Sequence, residues 1–119
     1  METVHRSVER LRLAVGRTPG DRFIADFETA LGEIGANVLT HGSPPGSPSP
    51  VDYSLSWDGA VAVATFTDPG PAVHSLQARA MPAHSSEDGR GLVMARMLLD
   101  ELGYERAGRV NRWRLVKRL

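Results

Sequence analysis

The 119-residue chain contains no cysteine. That excludes disulfides, thiolate metal sites and a thiol nucleophile. Lysine is nearly absent: Lys117 stands alone, and arginine supplies the remaining positive charge. Fourteen basic and fourteen acidic residues cancel to a formal net charge of zero, so no global field draws the chain to nucleic acid or anionic lipid. Aromatic residues are sparse, at 6%. No apolar run approaches the roughly 20 residues that span a bilayer, and the opening METVHRSVER holds no signal-like apolar stretch. The expectation is a cytoplasmic protein with a single domain over 1–119. That length is enough for a sizeable core, and 41% hydrophobic with 24% charged residues is ordinary globular composition.

Periodicity predicts two helices first. Val4, Val8, Leu11 and Val15 lie at helical spacing, with Gly16 as a stop and RTPGD as a turn. Asp21 caps a second helix running to about Thr40. Its apolar stripe is Phe23, Phe27, Leu31, Ile34 and Val38, and Gly42 suits its end. The Pro- and Gly-rich stretch 42–50 reads as an exposed connector. VDYSLSW alternates, so Val51, Tyr53, Leu55 and Trp57 face a core. Asp58-Gly59 signals a hairpin turn, and AVAVATFT (60–67) returns as a central strand, apolar on both faces. DPGP (68–71) breaks that strand. Residues 72–88 read as a loop, and 89–104 as a helix carrying Leu92, Met94, Ala95, Leu98, Leu99 and Leu102. The remainder forms one or two strands, with Trp113 and Leu115 inward and Arg112 and Arg114 outward. The fold class is α+β: a two-layer α/β sandwich with helices on one face of a mostly antiparallel sheet.

Three constellations carry polar chemistry. At about 100° per residue, Ala30, Glu33, Asn37 and His41 form a file along the edge of the second helix's buried stripe. Side chains there reach a ligand lying across that edge, or simply meet solvent. Asparagine inside a helix costs propensity. After the central strand, Asp68 can accept from an amino group on a ligand's edge, and Gly70 permits close backbone approach. The same residues are also good turn chemistry. At the third helix, Gly89, Arg90 and Gly91 free first-turn amides for an anion, with Arg90 as a charged fork. The plain alternative is a flexible loop with an acidic cap.

Other signals are weaker. Neither G-x-G-x-x-G nor a P-loop is present. His5, His41, His74 and His84 are scattered without H-E-x-x-H, which argues against zinc. No G-x-S-x-G marks a hydrolase. Arg106, Arg109, Arg112, Arg114, Lys117 and Arg118 surround Trp113. A nucleic-acid-binding strand and a solvated outer sheet face both accommodate them, and the alternation favours the second.

The order of the motifs is more specific than any one of them. E-x-x-x-N near a helix end (Glu33, Asn37), a hairpin, D-x-G (Asp68, Gly70), a loop, G-R-G-L opening a helix and a terminal strand resembles the GHKL ATP-binding superfamily. Its members include gyrase, the MutL-type repair ATPases and the ATP-binding domains of sensor histidine kinases. ALGEIGANVLTHG is similar to the matching helix of the small bacterial anti-sigma-factor serine kinases, and the likeness covers about residues 4–119.

The resemblance implies ATP and Mg²⁺ as cofactors. It implies Glu33 as general base, Asn37 as the Mg²⁺ ligand, and Asp68 as acceptor from the adenine amine with Gly70 beside it. Gly89, Arg90 and Gly91 would form the phosphate-facing edge of a mobile lid, 72–88, with Arg79 as its candidate phosphate arginine. Pro71 stands where the family often has a second glycine. Val110 and Asn111 stand where it has a Gly-Thr pair, which makes Asn111 the candidate second contact to adenine. The implied activity is serine/threonine kinase action on an anti-sigma-factor antagonist, with a sigma factor as a second protein partner. Nucleic acid and membrane are not implied as direct partners, and a homodimer is left open. Three other functions stay open: a nucleotide-gated interaction module without turnover, the ATP-binding domain of a sensor histidine kinase, and an interaction domain that binds no nucleotide.

Overall fold

A computed structural model describes residues 2–16, 21–41, 51–70 and 87–118. Among them, three helices and four strands follow one another: α1 (Glu2–Val15), α2 (Arg22–His41), β1 (Asp52–Trp57), β2 (Val61–Asp68), α3 (Glu87–Leu98), β3 (Glu101–Ala107) and β4 (Val110–Arg118). The sheet order is β1-β2-β4-β3, and every neighbouring pair is antiparallel. The helices pack their apolar stripes on one face of it, which is the two-layer α+β arrangement expected. The RTPGD turn through Gly20, Gly42 and its connector, Pro71, Arg79 and the lid as far as residue 86 lie outside the described residues.

The two N-terminal helices form for the reasons their sequences give. Val4, Val8 and Leu11 bury one stripe of α1, and Gly16 ends it at φ +69°. Asp21 caps α2: its Oδ1 accepts from the Ile24 amide at 3.1 Å. Phe27, Leu31, Ile34 and Val38 are buried as expected, but Phe23 is 48% exposed and Ile24 takes the inner place. The reason is where α1 lies. Glu28 meets His5 at 2.9 Å and Arg12 at 3.6 Å, so α1 packs on the Ile24–Glu28 side of α2. Phe23 sits instead under the Lys117 ammonium, 5.6 Å from the ring centroid.

The first hairpin is closed by Asp58. Its amide donates to the Val61 carbonyl, and its Oδ1 accepts from the amides of Ala60 and Val61 at 3.0 and 2.9 Å. Gly59 supplies the positive φ, +100°. Backbone donors on the charged form hold the Asp58 carboxyl below its usual pKa. Its contribution to stability is therefore present above the unfolded-state pKa and fades as pH falls through the folded one. Asp58→Ala is expected to lower the melting temperature at neutral pH. The gap to the parent should close as melts are taken down to about pH 2; a gap independent of pH would remove the charged turn as its cause. Trp57, expected in the core, is 37% exposed because β1 is an edge strand and the residue sits at its end.

The second half departs further from the expected elements. The third helix does not run from 89 to 104. It starts at Glu87 and stops at Leu98, and Leu102 belongs to β3. Strand β4 captures the chain at this point. The Asp100 amide donates to the Val116 carbonyl at 2.9 Å, and the Arg118 amide donates to Asp100 Oδ2 at 2.6 Å. Lys117 Nζ caps the helix's free Leu98 carbonyl at 2.7 Å. A ladder along all of β3 outweighs the local helix preference of the leucines. Trp113 and Leu115 are fully buried, while Arg112 and Arg114 face out, as the alternation predicted. Trp113 packs on Tyr104 with ring centroids 4.8 Å apart, tilted by 51°, a pairing worth about 1 kcal/mol beyond area burial. Among the described residues, no helix is long and apolar enough to cross a membrane.

Candidate functional site

Strand register builds the first polar group. Asp68, the last residue of β2, lies opposite Asn111 of β4, and Asn111 lies opposite Arg106 of β3. Three neighbouring strands thus deliver three polar side chains in a row at one end of the sheet. Asp68 continues the buried row Ala62, Ala64, Phe66, so it points to the helix-covered face. It is 3% exposed, and Asn111 is 2% exposed.

The bonds within this group are dense. Asp68 Oδ1 accepts from the Gly70 amide at 2.8 Å and from Asn111 Nδ2 at 3.1 Å. Asn111 Nδ2 also donates to the Gly70 carbonyl at 3.1 Å. Asn111 Oδ1 accepts from Arg106 Nη1 at 2.9 Å and from the Tyr104 hydroxyl at 2.5 Å. The same Arg106 nitrogen donates to the Gly70 carbonyl at 2.8 Å. Gly70 is therefore held by both its amide and its carbonyl. Among the described residues, no group donates to Asp68 Oδ2. Asp68 Oδ2 thus keeps open acceptor capacity on a nearly buried residue, and a ligand's N–H is the kind of group that fills it.

A second group lies where α3 meets α2. Glu33 and Asn37 are half-buried and one turn apart, and Ala30 below them is fully buried, so the file does run along the edge of the stripe. Gly91 of α3 lies against Glu33: a Cβ at Gly91 would come within 2.5 Å of Glu33 Oε2. Among the described residues, neither Glu33 nor Asn37 has a hydrogen-bonded side-chain partner. Gly89 and Arg90 lie in the first turn of α3, where backbone amides lack intrahelical acceptors. The Arg90 and His41 side chains are outside the described residues, and the last two residues of the expected lid, Glu87 and Asp88, open this helix.

The structure therefore joins Asp68, Gly70 and Asn111 by direct bonds, sets Glu33 against Gly91, and leaves Asn37 a turn further along α2. Arg106 and Tyr104 are site residues that the sequence reading did not single out. Arg106 was grouped with the outward arginines, yet it faces inward. The available signal was the alternation Leu102, Tyr104, Arg106 against Glu101, Gly103, Glu105, hidden while 89–104 read as helix. The clefts of about 550 and 340 Å³ beside α1 and β1 include none of these residues.

Gly91 offers a local test. In Gly91→Ala the intruding atom is the far end of a flexible side chain, so the fold tolerates it, and alanine favours a helix by up to about 1 kcal/mol over glycine. The expected protein melts at an equal or higher temperature; a clearly lower melting temperature would show that Glu33 cannot move aside.

A family model described as histidine kinase-like ATPase domain matches residues 1–117. The chain belongs to that family. As a histidine kinase-like ATPase domain it is of the ATP-binding GHKL type. No curated protein matches it. Within this ATPase domain, Asp68 presents a buried acceptor suited to an amine, and Glu33 presents a free carboxylate suited to a proton. Asn37 presents an amide oxygen of the kind hard cations take. Among the described residues, no group of three His, Cys, Asp or Glu could hold a metal.

Proposed function

We propose that this ATPase domain is a serine/threonine protein kinase. Its protein substrate would be an anti-sigma-factor antagonist, and it would also bind a sigma factor directly. The observation that carries the reading is Glu33: a carboxylate with no hydrogen-bonded partner among the described residues, set against Gly91 and one turn before Asn37.

Each residue has a role in this reading. Glu33 accepts the proton of the attacking serine hydroxyl, the work of a general base. Asn37 would hold Mg²⁺ through its amide oxygen. Asp68 Oδ2 accepts from the exocyclic amine of adenine, and Gly70 lets the base lie close to the backbone. The first-turn amides near Gly89 favour an anion at the N-terminus of α3, with Gly91 one turn in against Glu33. Bound ATP·Mg²⁺ would supply the phosphoryl group and the counter-charge for it. The protein's part is positioning and charge stabilisation, the main sources of rate in this chemistry.

Two measurements test the reading in order. A saturating nucleotide at 100 times its dissociation constant adds about 2.7 kcal/mol of stability, so ATP·Mg²⁺ should raise the melting temperature clearly. Label should then pass from γ-labelled ATP to a serine of candidate antagonist proteins. A shift without transfer to any antagonist would leave a nucleotide-gated interaction module. No shift at all would sink both.

A further inference from the structure

Asn111 stands where a direct nucleotide contact was expected, but it is 2% exposed, and both ends of its amide are engaged inside the protein. We propose that Arg106 and Tyr104 are positioning residues for base recognition. By holding Oδ1 of Asn111 they turn its amide nitrogen onto Asp68, which fixes one carboxylate oxygen and leaves the other for the base's exocyclic amine. On this view Asn111 acts through Asp68 and not on the nucleotide. The proposal rests on the reading of Asp68 as the base acceptor.

The chemistry of the donors forces the orientation. A guanidinium only donates, and a carboxylate only accepts. Arg106 Nη1 faces Asn111 Oδ1 at 2.9 Å, while Asp68 Oδ1 and the Gly70 carbonyl face Asn111 Nδ2, both at 3.1 Å. Turning the amide over would set NH₂ against the guanidinium and oxygen against the carboxylate. Both contacts would be repulsive in a buried setting where polar mismatch is costly. Tyr104 adds its donor at 2.5 Å, and its ring is held against Trp113. The amide therefore has one orientation, imposed from β3.

That orientation sets the plane of Asp68. Its Oδ1 receives two donors, the Gly70 amide and Asn111 Nδ2. With one oxygen pinned twice, the carboxylate cannot rotate, and Oδ2 keeps a fixed direction. A carboxylate free to turn would present either oxygen and would define the base less sharply. Arg106 also donates to the Gly70 carbonyl, so the backbone beside the base is pinned by the same side chain.

The test compares two nucleotides in the full chain: ATP, and the purine nucleoside triphosphate that lacks the 6-amino group. The wild type is expected to prefer ATP by about tenfold or more, the worth of one charge-assisted hydrogen bond. Tyr104→Phe keeps the ring on Trp113 and removes only the hydroxyl, and Arg106→Leu removes the guanidinium. Each should cut the preference by about threefold or more.

A second readout needs no nucleotide. The chain has two asparagines, Asn37 and Asn111, so selective ¹⁵N-asparagine labelling yields two side-chain amide pairs. One should exchange slowly with solvent in the parent and at least about tenfold faster in the variants, as buried bonds open. If the wild type prefers ATP but the variants keep the same ratio, or lose both nucleotides equally, the positioning role is overturned and Asp68 stands as reader. If the wild type shows no preference, the reading of Asp68 fails, and this one fails with it.

Discussion

Replacing Glu33 by glutamine is expected to slow phosphoryl transfer by about 10²–10⁴-fold, the usual worth of a general base. Glutamine preserves length and shape, so the contact with Gly91 survives and the helices stay packed. Only the ability to take a proton is lost. ATP affinity should stay within about threefold, since the carboxylate lies in the second polar group, apart from the base end. Initial rates of label transfer and calorimetric affinities, measured on the same preparation, separate the two effects. A rate equal to the parent's would remove Glu33 as base, and with it the main support for an enzyme over a binding module. A joint loss of rate and affinity would assign Glu33 to nucleotide binding.

The second large effect belongs to Asp68→Asn. The substitution replaces one carboxylate oxygen by NH₂. If the new amide keeps its oxygen toward the Gly70 amide and Asn111 Nδ2, its NH₂ meets the adenine amine, donor against donor. If it turns over, NH₂ meets those two protein donors instead. Neither orientation satisfies both sides. Loss of a hydrogen bond to a charged group costs about 1.5–3 kcal/mol, so ATP affinity should fall by about 10- to 150-fold. Calorimetry on a variant shown to be folded by its melting curve checks it. An affinity within threefold of the parent's would move the base elsewhere.

How much of this was readable beforehand depended on how local each cause was. Helix α2 could be read because its stripe, its Asp21 cap and the file of Glu33 and Asn37 all follow from one helical period. The error at Phe23 came from outside the helix: nothing in its own sequence says that α1 lies on the Ile24 side. The DPG motif could be read as a site or as a turn; the structure shows the turn, with Asp68 closing a strand and accepting from the Gly70 amide. The first part of β3 could not be read. Leu98, Leu99 and Leu102 fit a helical period, and only pairing with β4 decides against it. With Leu102 assigned to the helix, the inward phase it shares with Tyr104 and Arg106 was not visible, although the strand reading already covered Arg106.

The row Asp68–Asn111–Arg106 also bears on how the protein comes to be competent. Asp68 and Asn111 are 43 residues apart in the chain. The β1–β2 and β3–β4 hairpins close locally, but β2 meets β4 only after a long loop has closed, and non-local pairing of this kind is slow to form. A chain with both hairpins and the described helices formed would still lack the Asn111–Asp68 bond. Nucleotide capture should therefore return with the last phase of refolding, later than helical circular dichroism. The domain then withholds ligand binding from every partly folded copy, and the nucleotide stabilises only chains whose sheet is complete.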